Sequence, residues 1–265
     1  MAIPDAPRVI YDKNPLQEVI SQLRFPPVLR IDAEPPVAFQ ELVRVDYPFY
    51  ELKSAVQFPS GLPPEIAQMV SADLPFAGQR SHEFASQDRA WNLKLNRESL
   101  ALTCATYTRW EDFRGRLAGP FQALVAQYQT PFCTRIGLRY RDVIRRSRLD
   151  LQDVPWNQLL KPWVTGALAP VETVDDVENM QAMAIIRLPP EASKTQVGFG
   201  LAQDPTQNNE IVFFIDADFF TEQQTDPTDV FQRLDALHKQ AQLLFRWCIT
   251  DRLHQAMGPH PLPAV

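Results

Sequence analysis

Hydrophobic and polar residues alternate most cleanly over positions 135–144, Arg-Ile-Gly-Leu-Arg-Tyr-Arg-Asp-Val-Ile. Ile136, Leu138 and Tyr140 fall on one side, and Arg135, Arg139 and Arg141 on the other. That is the two-residue period of a strand with one face on a core. The same period predicts a strand over 15–25, stopped by Pro26-Pro27, and a meander of three strands at 81–88, 91–96 and 99–107. Positions 50–58 read as extended, and 59–80 as a loop or a short helix. Helical spacing appears at 36–44, through Phe39, Leu42 and Val43. It returns at 110–129, where Phe113, Leu117, Phe121, Leu124, Val125 and Tyr128 share a side. Gly119-Pro120 predicts a kink or a break in that helix. Beyond the central strand lie a short helical segment at 155–163, an acidic loop at 172–178, and strands at 181–188, 195–202 and 210–219. The longest pattern, 227–257, runs through Phe231, Leu234, Leu237, Ala241, Leu244, Phe245, Cys248, Ile249, Leu253 and Met257. It predicts one helix roughly 45 Å long at ~1.5 Å per residue, ended by Gly258-Pro259.

Taken in order, strand, helix, antiparallel strands and helix occur twice. The expected fold class is therefore α+β, with two similar halves, 1–132 and 133–265, forming one compact unit. Each half would contribute to a pseudo-duplicated curved sheet with helices on one face. The long C-terminal helix would tie the halves together, with its end, Cys248 to Met257, packed on the other half rather than on a second subunit.

Composition narrows the class. The chain has 265 residues, an ordinary apolar fraction, 24 prolines and 9 glycines, and many of the prolines punctuate the predicted elements. A formal net charge of −6 disfavours a general nucleic-acid coat while leaving room for a local basic groove. Cys104, Cys133 and Cys248 are far apart and lack metal spacing, so they read as small buried residues of a reducing cytoplasm. No stretch approaches the ~20 apolar residues of a membrane span, and no signal segment is evident, so a cytoplasmic protein is expected.

The opening Tyr11-Asp-Lys-Asn-Pro-Leu-Gln-Glu-Val-Ile-Ser-Gln-Leu-Arg-Phe-Pro26 resembles the N-terminal signature of a sporadically distributed bacterial protein family of unknown function. Phe39-Gln40, Tyr47-Pro48, Gly137-Leu-Arg-Tyr140, Phe214-Ile-Asp-Ala-Asp218 and the helix carrying His238, Phe245 and Met257 extend the resemblance over nearly the whole chain. After Leu-Arg-Tyr the family usually has Ile-Asn, where this chain has Arg141-Asp142. The resemblance implies an accessory gene, of the defence or toxin–antitoxin kind, and supplies no activity.

Three constellations carry possible chemistry. Asp216 and Asp218 share one face of a strand and are weak candidates for a divalent metal, as in nucleotidyl transfer. Arg135, Arg139 and Arg141, followed by Arg145, Arg146 and Arg148, form a face able to grip an anion, or to pair with those aspartates. Tyr11 and Asn14 are the polar side chains of the opening turn most open to a binding role. His82, His238, His254 and His260 are scattered, and His238 reads as a satisfied helix residue. No nucleophile triad, phosphate loop or dinucleotide fingerprint is present. The expectation is a non-enzymatic binding or interaction protein without cofactor or metal, recognising a protein partner or an anionic ligand. The alternatives are a metal-dependent enzyme on nucleotides or nucleic acid through Asp216 and Asp218, and a metal-free RNA-processing protein.

Overall fold

A computed structural model describes residues 3–54, 80–169, 177–189 and 192–261. The readings made for 59–80 and for 172–178 lie almost wholly outside these residues. Eleven strands and seven α-helices follow in chain order among them. The strands are β1 (Val9–Tyr11), β2 (Leu16–Arg24), β3 (Phe49–Ser54), β4 (Arg80–Ala85), β5 (Trp91–Asn96), β6 (Ser99–Cys104), β7 (Arg135–Ile144), β8 (Gln181–Leu188), β9 (Ser193–Asp204), β10 (Glu210–Thr221) and β11 (Pro259–Pro261). The helices are α1 (Arg30–Ala33), α2 (Val37–Val43), α3 (Trp110–Tyr128), α4 (Trp156–Leu159), α5 (Pro162–Thr165), α6 (Val230–Cys248) and α7 (Asp251–Ala256). The fold is α+β.

Nine strands make one antiparallel sheet in the order β3-β4-β5-β6-β2-β7-β10-β9-β8. Within this sheet, the first strand from each half of the chain pairs with the last from that half, β2 with β6 and β7 with β10. The halves meet where β2 pairs with β7. Alternation sorts the two faces. A row of Phe84, Leu93, Leu102, Ser21, Leu138, Phe219 and Thr195 crosses the sheet beneath the helices, and all seven are buried. α6 lies on β7 and β10, α3 on β6, and α2 on α3. The opposite face carries a charged ladder, as in an antiparallel sheet solvated on one side. In it Glu83 sits between Lys53 at 2.8 Å and Lys94 at 2.9 Å.

A bulge sits at the β2–β7 seam. Leu16 opposes Asp142 and Glu18 opposes Arg141, so β2 spends one extra residue, Gln17. The extra residue lets Leu16 join the helix side while Glu18 joins the charged side.

Two helix expectations need correction. The C-terminal helix is broken: Ile249 is extended, Thr250 caps α7 by accepting from the Leu253 amide, and α6 stops at Cys248. The break has partners, because Ile249 bridges Leu160 and the Thr250 hydroxyl donates to the Leu159 carbonyl at 3.0 Å. Tertiary bonds outweigh the helical period there. Of the kink or break expected at Gly119-Pro120, the break does not occur, since α3 runs through both residues. Pro120 cannot donate to the Arg116 carbonyl, and the Tyr47 hydroxyl does so instead, at 3.4 Å.

Candidate functional site

The chain before β2 is a short arm. Its β1 pairs with β11, and the Asp12 and Lys13 amides donate to the Gly258 and Met257 carbonyls, both at 3.0 Å. Gly258 turns back toward the arm at φ +67°. The arm is thereby fastened over the inner face of β7 beside α6. Between them lies a cavity of about 130 Å³. Its lining includes Tyr11 and Leu16 from the arm and β2, Tyr107 from the β6–α3 turn, Tyr140 and Asp142 from β7, and His238 and Phe245 from α6.

Asp142 is the chemical centre of this space. It has the parity of Ile136, Leu138 and Tyr140, so β7 aims it inward. It is 9% exposed, and among the described residues its carboxyl has no hydrogen bond or ion pair. Burial raises its pKa from 3.8 to about 8, with the Asp216 charge on the neighbouring strand adding to the rise. The group is mostly protonated at neutral pH.

His238 is the second buried polar group. Its Nδ1 and the Tyr140 hydroxyl share a hydrogen bond of 2.7 Å, Trp110 stacks on the ring at 4.7 Å, and its Nε2 is buried without a partner. Burial, helped by Arg8, lowers its pKa to about 3. The expected satisfied helix histidine is thus satisfied on one nitrogen. Tyr11 bonds His254 Nδ1 at 2.8 Å, and burial raises its pKa to about 12.

The guanidinium groups around the cavity are already neutralised. Arg8 meets Glu111 at 2.6 Å, Arg109 meets Asp112 at 2.9 Å, and Arg246 pairs with Asp251. Aromatic rings complete the wall: Tyr107 meets Tyr140 edge-on at 6.0 Å, and Tyr11 meets Phe245 edge-on at 6.0 Å.

Of the seven binding candidates read from sequence, Tyr11, Asn14, Arg135, Arg139, Arg141, Asp216 and Asp218, the first two come to this cavity. Asn14 lies at its margin, its Oδ1 accepting from the Leu16 amide at 3.1 Å, so its amide group shapes the turn into β2. The other five lie on the opposite face of the sheet, in ion pairs. Arg139 grips Asp216 through two bonds of 2.6 Å, Arg135 meets Asp218 at 2.6 Å, and Arg141 meets Glu18 at 3.0 Å and Asp216 at 3.5 Å. Among the described residues no three His, Cys, Asp or Glu side chains gather as a metal site. The three cysteines are buried free thiols, and no described helix is long and apolar enough to cross a membrane. Asp142, Tyr140, Tyr107 and Phe245 are site residues the sequence reading passed over. The signal for Asp142 was on the page: an acid at a core-facing position of an alternating strand.

No family model matches the chain, and neither does any curated protein compared with it.

Proposed function

We propose that this protein is a non-enzymatic binding module whose ligand is a small organic molecule held in the cavity beneath the N-terminal arm. The observation that carries this reading is Asp142, an unpartnered carboxyl buried in a cavity lined by aromatic rings. A buried polar group without a partner costs stability, and such groups concentrate where a ligand supplies the missing contact. The arm is a fitting gate, because β1 is three residues long and is held by β11 alone among the described strands. In a bacterial accessory system of the kind the sequence resemblance implies, the module would sense or present that ligand to a protein partner.

The arginine face fits an anion-binding role less well. Its guanidinium groups already answer Asp216, Asp218 and Glu18. The same pairing occupies the carboxylates that a nucleotide-directed metal enzyme would need. For metal-free RNA processing, Tyr140 and its partner His238 lie on the other face of the basic strand. We read the order of strands, first paired with last in each half, as the trace of an internal duplication, with β2 and β7 as equivalent strands. On that reading the cavity has formed at the seam between copies.

Mass spectrometry of small molecules released by denaturing the native protein tests the reading. Ala241 lines the cavity from α6, and Ala241→Phe fills it. A compound released by the wild type and missing from the variant supports the cavity as the binding site. Equal release from both moves the site elsewhere.

A further inference from the structure

We infer that the cavity recognises an organic cation, a small amine whose ammonium group pairs with the Asp142 carboxylate while its carbon frame lies against Tyr11, Tyr140 and Phe245. This rests on the cavity being a ligand site, as proposed above, and adds the class of ligand. Three observations converge on it. Asp142 is nine-tenths buried, has no partner among the described residues, and faces the cavity. Arg8, Arg109 and Arg246 are bound to Glu111, Asp112 and Asp251, so they leave Asp142 unanswered and offer an anion little. The aromatic wall suits a cation as well, because ring faces carry negative potential and attract ammonium groups. A cavity of about 130 Å³ has room for a head of ring size, since cavities of about 150 Å³ accept benzene.

Binding would couple to protonation. Below pH 8 an arriving ammonium ion must meet an ionised Asp142, so the complex forms with loss of the Asp142 proton. The groups facing Asp142 leave the window clear. On the arm, Tyr11 titrates near 12, and on β7 Tyr140 is raised well above its usual value. On α6, His238 titrates near 3 and the Cys248 thiol is raised by burial. Arg8, Arg246 and Asp216 are held in ion pairs, with Glu111, Asp251 and Arg139, the last on the far side of the sheet.

Isothermal calorimetry with benzylamine, benzyl alcohol and benzoate separates the ligand classes. The wild type is titrated from about pH 6 to 8, in buffers of different ionisation heat. Benzylamine is expected to bind about tenfold tighter per pH unit, releasing close to one proton at the acid end. Asp142→Asn, which keeps the shape of the side chain, is expected to lose at least about tenfold in affinity and all of the proton release. The wild-type proton count stands even if that variant folds poorly. Binding of benzyl alcohol or benzoate as tight as that of benzylamine overturns the cation inference and leaves the cavity a ligand site. Absence of binding by all three overturns the inference, and the mass-spectrometric comparison then decides separately whether the cavity is a site at all.

Discussion

The Tyr140 hydroxyl and His238 Nδ1 lie 2.7 Å apart in the interior, joining the central strand to the helix that covers it. With a pKa near 3, His238 is neutral when folded and takes up a proton near pH 6.5 when unfolded. The folded pKa is depressed, so this stabilisation is complete above pH 6.5 and is lost as pH falls toward 3. NMR of the ring should show a neutral imidazole at pH 5. Tyr140→Phe strips the last partner from His238 and should cost about 1–3 kcal/mol in urea unfolding.

Asp142 has the opposite sign. Its folded pKa, about 8, lies above the 3.8 of an ordinary aspartate. The unfolded chain loses this proton at lower pH than the folded one. Stability is therefore full below about pH 4 and declines as pH rises toward 8. Asp142→Asn should remove this decline and stabilise the unliganded protein at pH 8 by on the order of 3–5 kcal/mol. Chemical denaturation at pH 5 and pH 8 gives the comparison. A variant less stable than wild type at pH 8 would show that the carboxylate has a partner in solution.

These groups show where pattern reading succeeds and fails. Alternation located β7 and its arginine face because every second residue contacts either core or water. Opposite charges on two strands led to the expectation that the arginine face would pair with Asp216 or Asp218, and Arg139 and Arg141 both meet Asp216. Asp142 escaped because it was noted only as a departure from the Ile-Asn of the resembling family, although its place in the alternation, two residues after Tyr140, puts it on the core side. The cavity itself was out of reach, since it depends on β1 finding β11 across nearly the whole chain. Local period cannot report such a contact, and it also hid the bond from Thr250 to Leu159 that splits the last helix.

On the solvated face the ion pairs should matter less than their geometry suggests. Arg139 and Asp216 share two bonds, but the Arg139 side chain is 45% exposed. A double-mutant cycle of Arg139→Ala and Asp216→Ala should give a coupling of roughly 1 kcal/mol, reduced in high salt. A larger, salt-insensitive coupling would show that the face is covered in solution.

Two glycines should respond oppositely to alanine. Gly115 lies inside α3 with open space where a Cβ would go and is followed by Arg116 rather than by a proline, so Gly115→Ala should stabilise by about 0.5–1 kcal/mol. Gly200 lies on β9, and a Cβ there would strike the Met180 carbonyl oxygen and come within 2.9 Å of Gln181 Cα. That oxygen is fixed by the Leu201 amide at 2.8 Å. Gly200→Ala should therefore destabilise by about 1–3 kcal/mol. Thermal unfolding of the pair reads both signs.

Leu253 lies in the apolar stripe beyond Cys248, which admits two roles, internal packing or a contact with a second subunit. The break at Ile249-Thr250 redirects the chain so that α7 folds back on α4. Leu253 is completely buried there, as are Ile249 and Met257. The backbone locks the arrangement, since Lys161 donates to the Cys248 carbonyl at 2.8 Å and Thr250 donates to the Leu159 carbonyl at 2.9 Å. Leu253→Ala should accordingly cost about 2–5 kcal/mol as a core truncation. Leu253→Asp would bury a charge without a partner and should unfold the chain outright. Circular dichroism and sedimentation of the two variants distinguish the roles. A folded Leu253→Asp monomer derived from a wild-type dimer would place Leu253 at a subunit contact and refute the internal packing seen here.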